Sequence, residues 1–280
     1  MTQQAKQVKS KADSGDVESI YEYAQMLYNG DGVPVNKSEA VRYFKIGADK
    51  GDLNSAYNYA YLNEVGDGVS INKQEALRYY KMAADKGHQR SMHNLAVMLR
   101  NGDGIPSNKP EALKYFCMSG DQGDVDSMMV AAIMMNLGEG VPTNVNGAAK
   151  YFKMAADKGC VEGMFLYAQL FKNGENGLPV NMQTAAYYYR MAADRGYVKA
   201  MYNFALCLEN GDGVAVDKSG AAYYYKLAAE EEIETVIEKF WRNFLKEWGE
   251  IMVDTEERKD IIDSDISNDE EDNKENGNRS

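Results

Sequence analysis

Two histidines and a recurring set of carboxylates are the residues of this sequence best suited to chemistry. His88 and His93 could ligate a metal or work as an acid–base pair. Five residues apart on a helix they do not share a face, so they make a poor metal pair. Aspartates return at Asp49, Asp85, Asp121, Asp157 and Asp194, where carboxylates could carry acid–base work. Their return in unit after unit is how structural residues behave. Glycine-rich hexapeptides beginning with 29-NGDGVP could cradle a phosphate, but a phosphate loop follows a strand and these follow helical patterns. The three cysteines, Cys117, Cys160 and Cys207, are odd in number and irregular in spacing, so no disulfide framework is implied. Free thiols suit a reducing compartment. The residues point to no catalytic, cofactor or metal site, and hence to a protein that is not an enzyme.

The elements that hold these residues are set by a repeat. The hexapeptide reads 29-NGDGVP, 65-VGDGVS, 101-NGDGIP, 137-LGEGVP, 173-NGENGLP and 210-NGDGVA, at steps of 36 residues with one step of 37. A second marker, Gly15, Gly51, Gly87, Gly123, Gly159 and Gly196, keeps the same step. Such a period means one supersecondary unit copied in tandem. From each Gly marker to the next hexapeptide, apolar residues fall at helical spacing, with alanine in every copy at Ala24, Ala60, Ala96, Ala132, Ala168 and Ala205. This is helix A. Helix B is predicted to start at the N-caps Asn36, Asn72, Asn108, Asn144, Asn181 and Asp217. Glu39, Glu75 and Glu111 are placed to close capping boxes. Tyrosine recurs in all six copies of helix B, at Tyr43, Tyr79, Tyr115, Tyr151, Tyr188 and Tyr224. Gly147 and Thr184 replace the capping Glu in the fourth and fifth copies, which predicts a frayed start near Asn144. Asn176 adds one residue to the fifth loop.

The pattern A-x-x-x-A, then G-x-G-V-P-x-N-x-x-E-A-x-x-Y-F/Y-K-x-A-A-D-x-G, resembles the Sel-one-like repeat, a relative of the tetratricopeptide repeat. The resemblance covers residues 16–231 as six copies: 16–51, 52–87, 88–123, 124–159, 160–196 and 197–231. It implies an all-α, right-handed α/α solenoid with helices A lining a concave face, and a role as an adaptor or scaffold in protein degradation or signalling. A cysteine-rich bacterial branch with β-lactamase or penicillin-binding activity pairs cysteines within each repeat. This chain lacks those pairs, so that activity does not carry over.

Both ends of a solenoid need covering. Residues 1–15 read as half a repeat that caps the start. In 232–250, Ile233, Val236, Ile237, Phe240, Phe244, Leu245 and Trp248 form an amphipathic stripe, and Trp241 stands where other copies have alanine. This reads as a C-terminal capping helix, with partner binding as the alternative use. Residues 251–280 read as a disordered, solvating acidic tail. The net charge is −12, and residues 254–280 hold eleven acidic and four basic residues, so seven of those charges sit in the tail. That balance excludes a nucleic-acid partner. With no apolar leader and no long apolar run, neither secretion nor a membrane is implied. The expected location is the cytoplasm, with the nucleus open.

A partner is expected in a groove lined by the variable columns of helix A. These supply Tyr21, Tyr57, His93, Met129, Phe165 and Tyr202 from one column, Tyr61, Val97 and Ile133 from the next, and Arg100 and Lys172 from a third, with Leu137 alongside. The centre is apolar, and Arg100 and Lys172 form its charged rim, the composition of a protein-binding patch. The sequence therefore predicts an adaptor for a peptide or helix of another protein, with no cofactor and no small-molecule substrate. A regulatory subunit acting in trans with a signalling enzyme such as a kinase, or a ubiquitin-ligase adaptor, would use the same surface.

Overall fold

The computed structural model describes residues 1–174 and 177–231. The expected cap at 232–250 and the tail at 251–280 lie outside the described residues, as do Glu175 and Asn176. Every regular element among the described residues is an α-helix. In chain order they are α1 (Gln3–Asp13), α2 (Val17–Asn29), α3 (Lys37–Asp49), α4 (Leu53–Val65), α5 (Lys73–Ala84), α6 (Gln89–Asn101), α7 (Lys109–Asp121), α8 (Val125–Leu137), α9 (Val145–Asp157), α10 (Val161–Asn173), α11 (Met182–Ala193) and α12 (Val198–Asn210). A thirteenth, α13, is described over 218–231. Each helix packs on its neighbours in sequence, which makes an all-α solenoid in which α2, α4, α6, α8, α10 and α12 are the A helices.

The hexapeptide builds the A-to-B turn with two different glycines. The first ends helix A in the left-handed conformation, as at Gly66 (φ 79°), whose N–H donates to the Leu62 carbonyl at 2.9 Å. The second brings backbone against the preceding unit. A Cβ on Gly68 (φ 77°) would lie 2.7 Å from Cβ of Lys37, at the start of α3. The acid between them reaches the same place: Asp67 pairs with Lys37 at 2.8 Å, Asp103 with Lys73 at 2.7 Å and Glu139 with Lys109 at 3.2 Å. The longer fifth loop breaks this contact, since a Cβ on Gly177 would meet nothing within 4 Å.

Helix B starts where predicted, and its caps differ from the expected box. Asn36, Asn72, Asn108, Asn144 and Asn181 accept from the backbone N–H three residues on, and Asp217 does likewise. The box itself is not formed. Its second half needs the N-cap N–H, and that group is taken by helix A: Asn36 donates to Leu27, Asn72 to Asn63 and Asn108 to Leu99, at 2.7–2.8 Å. Glu39 and Glu75 turn instead to Arg42 and Arg78, and Glu111 accepts from Lys81 and from the side-chain amide of Asn108. For the same reason Gly147 forfeits no capping bond at the start of α9. The helix begins at Val145 without fraying, and Asn144 holds the Gly147 N–H at 2.9 Å.

The invariant tyrosines and aspartates are one device. The hydroxyl of Tyr79 donates to Asp49 at 2.5 Å, Tyr115 to Asp85 at 2.6 Å, Tyr151 to Asp121 at 3.2 Å and Tyr224 to Asp194 at 2.6 Å. Tyr43 reaches Asp13 of α1 in the same way at 2.6 Å. Each bond joins helix B of one unit to the end of helix B before it. Tyr188 and Asp157 are not bonded; Tyr188 stacks edge-on against Tyr167 at 4.7 Å, and Asp157 accepts from Lys153. Beneath this ladder the alanine column is fully buried in all six units, which lets the helices approach closely.

Candidate partner-binding site

The predicted groove residues do not form one surface. Their first column is a joint between units. Tyr57 stacks on His88, the N-cap of α6, with ring centroids 5.5 Å apart. His93 Nδ1 lies 3.1 Å from Asp124 and 2.9 Å from Ser127, at the start of α8. Phe165 sits between Tyr189 and Tyr197, at 5.7 and 5.2 Å. Met129 is covered by the start of α10, where a Cβ on Gly163 would lie 3.3 Å from its sulfur. Met129 and Phe165 are therefore 9% and 6% exposed, and they are core, contrary to the expectation of an open groove floor. Tyr21 is half-buried against Phe44. Tyr202, the last of the column, is 52% exposed because no described helix follows to cover it.

The second column stays open. Tyr61 is 41% exposed, Val97 and Ile133 are half-buried, and Leu137, at the end of α8, is 69% exposed. In the third column Arg100 is half-buried and Lys172 exposed, and both are committed. Arg100 grips Glu139 with two bonds, at 3.0 and 2.7 Å, so it is not the free rim charge expected. Those bonds hold the Glu139 carboxyl well below its usual range, at about 2. Lys172 donates to Asn203 at 3.1 Å. A recess lies off centre, where α2, α3 and α4 meet. It is a cavity of about 230 Å³ lined by Gln25, Tyr28, Asn29, Phe44, Asn58, Tyr61 and Leu62.

The groups with chemical potential are held by structural partners. His93, Asp124 and Ser127 have the residue types of a hydrolytic triad without its geometry, because aspartate and serine both meet Nδ1 and leave no relay across the ring. His88 Nδ1 accepts from the Ser91 N–H at 3.3 Å, which requires the neutral ring, and burial pushes its pKa down. Burial pushes the thiols of Cys117 and Cys207 up, away from the reactive thiolate. Among the described residues no three metal-ligating side chains come together. No helix among them is long and apolar enough to cross a membrane.

The Tyr–Asp and Lys–Asp/Glu ladders join residues that recurrence alone does not pair. Their signal was present: the partners keep a constant separation of 30 residues, from Asp49 to Tyr79 and from Lys37 to Asp67. Recurrence shows which residues are fixed. The constant separation is what marks fixed residues as partners.

The model of the Sel1 repeat matches residues 17–52, 53–88, 89–124, 125–160, 161–197 and 198–232. The chain belongs to the Sel1 repeat family. Solved structures agree on the fold. The chain is similar to c5321, a protective antigen of uropathogenic Escherichia coli displaying an SLR fold, at 21% identity and a TM-score of 0.60 over 81% of this chain. It spans 56% of that protein, little more than half its length. It is also similar to a Sel1 repeat protein from Oxalobacter formigenes, at 21% identity and a TM-score of 0.55, over 81% of this chain and 97% of that one. At such identities the likeness establishes the Sel1 fold alone. No curated protein matches the sequence.

Proposed function

We propose that this Sel1 repeat chain is a non-enzymatic scaffold that holds a partner protein along the second column of its A helices. Sel1 repeat proteins are in general interaction scaffolds. The observation that carries the reading is a division of labour. The residues identical in every unit are consumed in stacking, whereas Tyr61, Val97, Ile133 and Leu137 vary in type; Tyr61 and Leu137 are exposed, and Val97 and Ile133 are half-buried. Apolar side chains left partly open along one face fit a peptide or helix that buries them.

The test is recovery of partners by the full chain and by a variant carrying Tyr61→Glu, Ile133→Gln and Leu137→Glu. Loss of specific partners from a folded variant supports the scaffold reading; unchanged recovery rejects this face. The identity of the proteins recovered separates a general adaptor from a subunit acting in trans with a kinase or a ubiquitin ligase.

A further inference from the structure

The last unit ends in an apolar face that every earlier unit covers. One helix B column runs Ala12, Ala48, Ala84, Gly120, Ala156 and Ala193, all buried, and then Ala229, which is exposed. A second runs Val8, Phe44, Tyr80, Phe116, Phe152 and Tyr189, at most 8% exposed, and then Tyr225, which is half-exposed. With Tyr202 these residues line an open recess of about 490 Å³ between α12 and α13, whose wall also includes Phe165, Val198 and Ala228. In each inner unit the equivalent space holds the next A helix.

We propose that this end face is the docking site of the chain's own segment 233–248, whose aromatic side chains fill the recess. The described part of α13 ends two residues after Ala229, in the recess wall, so the segment that follows in sequence has a local concentration there far above that of any free partner. Its stripe of Ile233, Val236, Ile237, Phe240, Phe244, Leu245 and Trp248 repeats at helical spacing and matches an apolar face. It cannot dock as a seventh A helix. Glu232 stands where Gly196 makes the preceding turn, and Trp241 stands where Ala205 permits close approach. The segment therefore seats in its own register, with bulk where a repeat has alanine, and this closes the face to a further unit or to a second copy of the chain.

Trp241 and Trp248 are the only two tryptophans, so the full chain reports on its own docking. The expected result is a blue-shifted tryptophan emission protected from acrylamide. Tyr202→Asp with Ala229→Arg should shift the emission red and raise quenching several-fold. Since that pair alters the repeat itself, Ile237→Asp with Phe244→Asp, which leaves every described residue intact, should give the same shift and faster hydrogen exchange in α12. Fully solvated tryptophans in the unaltered chain would overturn the proposal, and so would quenching unchanged in both variants. A dimer whose dilution exposes the tryptophans would assign the face to a second copy and overturn it equally.

Discussion

The first and the last described helices, α1 and α13, are both of the B type and present opposite ends. The inner side of α1 carries Ala5, Val8 and Ala12, all buried, while its free side is Lys6, Gln7, Ser10 and Lys11. The corresponding side of α13 carries Tyr225, half-exposed, and Ala229, exposed, and no described helix covers them. The same columns are core at one end and surface at the other, so residue type alone does not decide exposure in a repeat array. What decides it is whether a following helix exists to cover the position. The first groove column obeys the same rule: Phe165 and Tyr202 are one position in two units, and only the uncovered one is open.

The two ends can be set against each other experimentally. Removing residues 1–14 should cost more than about 3 kcal/mol, because three buried side chains and the Asp13 partner of Tyr43 are lost together. Thermal melting and hydrogen exchange in α2 would show it. Removing 251–280 should leave the melting temperature unchanged, and a large drop there would mean that the ends are not as different as drawn. One column then gives a sharper contrast. Ala156→Arg, in a buried position, should cost roughly 3 kcal/mol or more, since it forces both bulk and charge into a filled joint. Ala229→Arg, which no described helix covers, should cost the repeats less than Ala156→Arg by urea unfolding.

The tyrosine ladder offers an internal control. Tyr79→Phe removes the bond to Asp49 and should cost about 1–2 kcal/mol, whereas Tyr188→Phe should cost almost nothing, because Tyr188 has no such bond. Ladder hydroxyls also give the stack an alkaline limit. Burial, and then the aspartate bond, raise the pKa of Tyr79 and Tyr115, and push Tyr224 up to about 12. A raised pKa means stability that is complete below pH 10 and is lost as the pH climbs from 10 towards the folded values. Unfolding followed by tyrosine absorbance should therefore be cooperative in that window, and stability should fall less steeply with pH in Tyr79→Phe, which lacks one of the titrating hydroxyls. His88 acts in the opposite sense. Its pKa is lowered, so the cap it provides is complete above pH 6.5 and weakens as the pH falls below that.

The smallest contrast lies in the loops. Gly177→Ala should cost only the strain of its positive φ, about 1 kcal/mol, while Gly68→Ala adds a collision with Lys37 and should cost more. Equal costs in a melting series would remove the inter-unit role given to the second glycine.

Much of this architecture was legible in the sequence, because glycine stops, asparagine caps and an alanine column are local signals that repeat six times. The site was less legible. Variation at Tyr57, His93 and Phe165 reads as freedom to bind, yet each of these residues is matched to its own neighbour: Tyr57 to His88, His93 to Asp124 and Ser127, Phe165 to Tyr197. Paired changes across a joint look the same as functional variation until the two columns are seen in contact. Arg100 was misread for a similar reason, since its partner Glu139 sits 39 residues away in the next loop.

The central claim is that fixed columns hold the units together and the partly exposed variable column holds a partner. It is tested most directly by measuring partner affinity and melting temperature together in Tyr61→Glu/Ile133→Gln/Leu137→Glu. The account predicts a loss of affinity of at least tenfold with a melting temperature within a few degrees of the unaltered chain. Full affinity in a folded variant, or early melting that accounts for the lost binding, would contradict it.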